Sequence, residues 1–179
     1  MKSASYQVKK RKVVYSKGPI HLVDCEVKLS SGRVLSRQII EHPGSVVIIP
    51  KFGAEQFGLI RQFRFAARTD LWEFPAGGIE PSENLRQAAA RELSEEIGYH
   101  PRKLTRLMSF YPSPGISSEV MHLFLGENLT PRKGEPDDDE EIELQVFSAP
   151  EIFKMIQRKK IVDAKTLLGM HFLKSTGKI

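Results

Sequence analysis

Cysteine is nearly absent from this sequence: Cys25 is the only one in 179 residues, so no intrachain disulfide is possible. Long apolar runs are missing as well. No window approaches the roughly 20 apolar residues that cross a bilayer, and the N-terminal MKSASYQVKKRKVVY lacks the apolar core of a secretory leader. A reducing, cytoplasmic setting without a membrane partner is therefore expected. Aromatics make up 8% of the chain, with one tryptophan, and they are not interleaved with basic residues in the way that stacks bases. The net charge of +5 thus argues only weakly for a nucleic-acid partner. Lys9, Lys10, Arg11 and Lys12 fit an exposed basic strand or arm, while residues 137–143 are strongly acidic. There is no internal repeat. Length and a 40% hydrophobic content fit one ordinary globular domain with a substantial core.

What the sequence does have is a glycine turn running into an acidic helix, GGIEPSENLRQAAARELSEEIGY, from Gly77 to Tyr99. Asn84 to Ile97 are mostly strong helix formers, and Gly98 suits a left-handed helix end. Glu92 and Glu96 stand at i and i+4, with Glu95 at i+3, so three carboxylates project from nearly one face. Their mutual repulsion is relieved either by water, on a solvated face, or by a cation. Hard oxygen ligands suit Mg²⁺ or Mn²⁺.

The spacing decides between these. Gly77, Glu83, Arg91, Glu92, Leu93, Glu95, Glu96, Gly98 and the bulky Tyr99 fall at the intervals G-x5-E-x7-R-E-L-x-E-E-x-G-Y. This resembles the Nudix box, with no departure at a fixed position. The resemblance implies an enzyme that cleaves a nucleoside diphosphate linked to another moiety. It implies divalent metal held by Glu92 and Glu96, with Glu95 a further ligand, the carbonyl of Ala76 another, and Arg91 pairing with Glu83 or orienting the ligands. A bound metal polarises the phosphoryl group and lowers the pKa of its water.

In chain order, Tyr6–Tyr15 and Ile20–Leu29 have strand character around the Ser16–Pro19 break, and SSGR at 30–33 suits a hairpin turn before Val34–Glu41. HisProGly at 42–44 precedes Ser45–Pro50, an apolar run typical of a strand buried on both faces. Further strands are expected at 56–65, 103–111, 120–126 and 142–147, a polar loop at 128–139, a helix at 149–159, and a closing helix capped by Asp163. Trp72 suits a stacked base, the core or an interface between copies equally.

The stretches RQIIEHPGSVVIIP and LIRQFRFAARTDLWEFPAGGIE resemble those of ADP-ribose pyrophosphatases and related nucleoside diphosphate sugar hydrolases within the Nudix group. That resemblance implies N-terminal strands paired across a homodimer. It implies nucleotide contacts from Arg37 and Gln38, where the family's usual pair is Arg-Glu, and a phosphate or ribose-phosphate contact from Arg64. The PSPGISSE segment at 112–119 resembles the substrate loop of the ADP-ribose branch, so Ser113, Pro114 and Gly115 would line the substrate and Glu119 would approach the terminal ribose or a metal. By the same resemblance, in PDDDEEIE at 136–143 the general-base position falls on Asp138, and Glu140 on a carboxylate that approaches the metal; Glu140 itself, Glu141, Glu119 and Glu95 are alternatives for the base.

The expectation is thus an α/β Nudix fold, an α/β/α sandwich with a mixed sheet at 44–179, preceded by an N-terminal antiparallel sheet at 1–43 that mediates dimerisation. The expected reaction is Mg²⁺-dependent hydrolysis of ADP-ribose to AMP and ribose 5-phosphate, with Mn²⁺ an alternative metal. GDP-mannose or another sugar nucleotide is the competing substrate. A non-catalytic module that binds a nucleotide metabolite and regulates a partner is the competing role, and an RNA-binding or decapping protein is a third reading.

Overall fold

A computed structural model describes residues 6–132 and 142–179. The elements in order are β1 (Gln7–Lys17), β2 (Ile20–Lys28), β3 (Val34–Glu41), β4 (Ser45–Pro50), β5 (Gln56–Arg64), β6 (Thr69–Glu73), β7 (Ala76–Gly78), α1 (Leu85–Ile97), β8 (Tyr99–Phe110), β9 (Met121–Pro131), β10 (Glu143–Ser148), α2 (Ala149–Gln157) and α3 (Ala164–Ser175). The chain forms two compact units: residues 1–44 with 111–120, and residues 45–110 with 121–179.

In the first unit, β1, β2 and β3 form an antiparallel sheet in that order. Residues 111–120 fold back along β3, where the Ile40 N–H donates to the Ile116 carbonyl at 2.8 Å and the Ser118 N–H to the Ile40 carbonyl at 2.9 Å. Cys25 is buried and unbridged.

The second unit is the α/β/α sandwich. Its larger sheet runs β7-β4-β9-β8 and is mixed, because β4 and β9 are parallel while the other neighbours are antiparallel. A second sheet runs β10-β5-β6. Every residue of β4 is buried, as expected for a strand covered on both faces. Its alternation sorts the core. Val47 and Ile49 join Leu123, Leu125, Ile152, Ile161, Met170 and Leu173 beneath α2 and α3, whereas Val46 and Ile48 join Phe124, Ala88, Ala89, Leu93 and Ile97 beneath α1. At roughly 1.5–3 kcal/mol per fully buried aliphatic side chain, these two layers dominate the stability of the unit.

Three expectations about elements needed correction. The Asn128–Asp139 loop does not begin at Asn128: β9 continues to Pro131, because Leu129, Thr130 and Pro131 pair with Pro101, His100 and Tyr99 at the start of β8. β8 itself starts at Tyr99, directly after the helix end, rather than at Lys103. Strands β6 and β7 were not anticipated, being short and interrupted by Pro75 and two glycines; they hold their places through pairing with β5 and β4.

Candidate active site

The site is built where the chain leaves β6, passes Pro75 and enters β7. The Pro75 carbonyl accepts from the Ile48 N–H at 2.9 Å, and Val46 and Val47 pair with Gly77 and Ala76, so this entry lies flat against the buried strand β4. Helix α1 then returns beside it. A reciprocal capping box sets the start of α1. The Asn84 side chain accepts from the Arg86 and Gln87 N–H groups, and the Gln87 side chain accepts from the Asn84 N–H. Gly98 closes the helix at φ 71°, in the left-handed region, with its N–H donating to the Ser94 carbonyl.

Two box carboxylates are turned inward. Glu92 and Glu96 are each only 9% exposed, an unusual depth for charged side chains. Glu96 Oε2 accepts from the Ala76 N–H at 3.1 Å. The Glu92 carboxylate lies against the backbone of Gly77 so closely that a Cβ at Gly77 would fall 2.2 Å from its carboxyl carbon. A side chain at Gly77 would displace the Glu92 carboxylate from this position, whatever the backbone dihedral.

Arg91 ties the cluster together. One terminal nitrogen donates to Glu92 Oε1 and Glu95 Oε2, both at 2.8 Å; the other donates to Glu83 Oε1 at 2.6 Å and to the Gly78 carbonyl at 2.9 Å; Nε reaches Glu83 Oε2 at 3.1 Å. Arg91 therefore pairs with Glu83 and also bonds Glu92 and Glu95. The bond to Glu83 raises the guanidinium pKa well above its ordinary value against the opposing effect of burial, with Glu92 and Glu95 adding to the rise. Glu83 is correspondingly held below the ordinary carboxylate range by its bond to Arg91, despite partial burial, with a further contribution from the Glu80 N–H.

These groups suit a divalent cation chemically. Glu83, Glu92 and Glu95 place three carboxylates on one guanidinium, and Glu96 stands on the Ala76 N–H, an excess of negative charge on hard oxygen donors. The carboxylate cradle at Gly77 fits the same role. Among the described residues no three or more carboxylate, imidazole or thiolate side chains are gathered closely enough to enclose an ion. Asp138 and Glu140, with Asp139 and Glu141, lie outside the described residues.

A second charged cluster adjoins the first. Arg64 donates from Nε to Glu73 Oε1 at 2.7 Å and from a terminal nitrogen to Glu73 Oε2 at 2.9 Å. Glu73 is 1% exposed and also takes a hydrogen bond from Lys165, which bonds Asp163 Oδ1 at 3.1 Å. Asp163 caps α3 as expected, accepting from the Thr166 N–H and hydroxyl. Thr166 Oγ1 in turn accepts from the Phe74 N–H at 2.8 Å. Sequence reasoning missed Glu73 and Lys165. The available signal was the placement of an ionisable residue next to Phe74 in a strand and of another inside the cap of an apolar helix. Trp72 is half-buried and packs edge-on against Phe147 at 5.3 Å, at the margin of the core.

The other expected substrate residues belong to the first unit. An Arg37 terminal nitrogen donates to the Ser36 carbonyl, and Gln38 Nε2 donates to Asp24 Oδ1 across the β2–β3 register at 2.9 Å. Pro114 and Gly115 lie in a turn in which the Ser113 carbonyl accepts from the Ile116 and Ser117 N–H groups. Glu119 stands 3.9 Å from His42 Nδ1. The two units thus divide the expected residues: Ala76, Glu92, Glu95, Glu96 and Arg64 in one, Arg37, Gln38, Ser113, Pro114, Gly115 and Glu119 in the other.

Comparison with known proteins agrees with this geometry. The NUDIX domain matches residues 41–168. The chain belongs to the Nudix family. An ADP-ribose pyrophosphatase of Bacillus subtilis is 33% identical over 97% of this chain and 95% of its own length. A methanol dehydrogenase activator of Bacillus methanolicus is 31% identical over 92% of this chain and 90% of its own. The crystal structure of an ADP compounds hydrolase superimposes with a TM-score of 0.85 over the whole of both chains at 21% identity, which establishes the Nudix fold. The protein is a Nudix pyrophosphohydrolase, with its Nudix box at Gly77–Tyr99. No helix among the described residues is long and apolar enough to cross a membrane.

Proposed function

We propose that the protein hydrolyses ADP-ribose to AMP and ribose 5-phosphate, by adding water across the diphosphate, and that the reaction depends on Mg²⁺ or Mn²⁺. The observation that carries this reading is the pair of buried carboxylates at the glycine turn, Glu92 against the Gly77 backbone and bonded by Arg91, and Glu96 on the Ala76 N–H. Glu92, Glu95 and Glu96, with the Ala76 carbonyl, would hold the metal. When bound, it supplies charge neutralisation at the phosphates and an acidified water. Arg91 holds Glu92 and Glu95 in place by hydrogen bonds. The relatedness to an ADP-ribose pyrophosphatase over 97% of the chain supports the substrate. Glu140 and Asp138 are assigned from sequence to metal approach and to general base. Arg37, Gln38, Ser113, Pro114, Gly115 and Glu119 are assigned to the nucleotide and terminal ribose, and a homodimer is assigned to the N-terminal strands.

A panel of ADP-ribose, GDP-mannose and other nucleoside diphosphate sugars with Mg²⁺ or Mn²⁺, read by nucleotide release, tests this directly. ADP-ribose should give the highest kcat/KM, and Glu92→Gln should lower kcat by about 10² to 10⁴ while the fold persists. A higher kcat/KM for another sugar nucleotide would reassign the substrate. No turnover of any, by a folded and metal-supplied protein, would favour the second reading, a regulator of a partner protein, which the relatedness to a dehydrogenase activator makes specific enough to name.

A further inference from the structure

Lys165 is a buried cation for which the box chemistry has no use. It is 7% exposed, and its ammonium sits between Glu73, itself 1% exposed, and Asp163. Taking such charges out of water is costly, and apolar side chains of similar volume stabilise a core at least as well. What a satisfied buried network secures instead is a geometry. Here the geometry belongs to Arg64. Its guanidinium meets Glu73 fork to fork, with Nε on one carboxylate oxygen and a terminal nitrogen on the other, an arrangement that fixes the plane of both groups. Glu73 Oε2, the oxygen that takes the terminal nitrogen, also takes the Lys165 ammonium. The carboxylate is therefore anchored from behind and cannot turn with the arginine.

The anchor is itself fixed. Asp163 holds Lys165 while capping α3, and Thr166 in that cap accepts from the Phe74 N–H, the residue after Glu73. The first turn of α3 thus grips both the side chain at 73 and the backbone at 74, two residues before the Ala76 N–H that holds Glu96. Arg64 is half-exposed and feels the box: burial opposes its charge, but Glu73, and beyond it the fields of Glu96 and Asp163, leave its pKa above the ordinary value.

We propose that Lys165 and Glu73 are positioning residues, which act through Arg64 to hold its guanidinium beside the box carboxylates, where it meets an anionic oxygen of the substrate's diphosphate. The proposal rests on the hydrolase reading above. It makes the start of the last helix, far from the box in sequence, part of the substrate site.

A double-mutant cycle of Arg64→Ala, Lys165→Met and the two together tests it, with kcat and KM for ADP-ribose, circular dichroism melting, and calorimetric binding of an α,β-methylene ADP-ribose analogue. Lys165→Met should raise KM and weaken analogue binding by about 10-fold with kcat changed by less than about 3-fold. The double variant should be no worse than Arg64→Ala alone, and Lys165→Arg should recover part of the loss. Losses that multiply in the double variant would overturn the proposal, as would a lowered melting temperature with KM and binding unchanged. If Lys165→Met does not fold, Glu73→Gln, which keeps shape and removes charge, takes its place in the cycle with the same expectation. If the wild-type protein turns over no sugar nucleotide, the hydrolase reading fails. The calorimetric cycle then decides the positioning on its own: analogue binding weakened non-additively supports it, and no binding, or additive losses, overturns it.

Discussion

At the scale of single residues, the most constrained position is Gly77. Its backbone is ordinary, and its constraint comes from the Glu92 carboxylate that fills the place of a side chain. Gly77→Ala should therefore leave the fold intact and push Glu92 off its position, lowering metal affinity and kcat by about 10- to 100-fold, in the range for groups that orient metal ligands. Mn²⁺ binding followed by electron paramagnetic resonance, beside a melting curve, checks this; a variant with unchanged Mn²⁺ affinity would mean that Glu92 is placed by Arg91 alone. Sequence spacing was enough to nominate Glu92, Glu95 and Glu96, because a helix converts intervals of three and four into one face, and Arg91 followed from the resemblance to the Nudix box. It was not enough to find Glu73 and Lys165. Their partnership joins a strand to a helix across 92 positions, and the local signal at each, an ionisable residue beside Phe74 and another in the α3 cap, does not name its partner. The deep burial of Glu92 and Glu96 was likewise not legible, since a run of glutamates is equally at home on a wet surface.

At the scale of elements, α1 is readable from its own sequence, with formers throughout, Asn84 ahead of it and Gly98 behind it. Its acidic face, by contrast, is stabilised through a residue outside the helix, Glu83, which engages Arg91 at two points. This has a sign in pH. The folded-state pKa of Glu83 is depressed below the ordinary glutamate value of about 4.3, so its stabilising contribution is full above that value and is lost as pH falls through the folded pKa. The wild-type protein should therefore melt higher than Glu83→Gln by a constant margin from pH 7 to about 5, and the margin should close below about pH 4. A margin that stays constant to pH 3 would remove Glu83 from the account. Strands β6 and β7 show the reverse case. Nothing in five or three residues announces a strand, and both exist because β5 and β4 offer hydrogen-bonding edges.

At the scale of the whole molecule, the pattern of strands and helices from Ser45 onward was largely legible, since β4 is uniformly apolar and the helices are bounded by caps. The N-terminal sheet was legible as strands, while its pairing across a homodimer came only as what the family resemblance implies. Strand β1 is an edge strand whose eleven residues are all exposed, and it carries Val8, Val13, Val14 and Tyr15 at 42–60% exposure. An edge of this length with apolar side chains is a template for pairing, and lysines at 9, 10 and 12 temper it without removing it. A second copy of the same sheet, meeting it through a two-fold axis, would cover the apolar residues and satisfy the edge in one arrangement. Light scattering on the purified protein should then report twice the chain mass. Val14→Asp with Tyr15→Asp should shift it toward the monomer, leaving the melting of the second unit, residues 45–110 with 121–179, in place. A wild-type protein that remains monomeric at full activity, across concentrations that span those used in the assay, would show that β1 serves some end other than self-association.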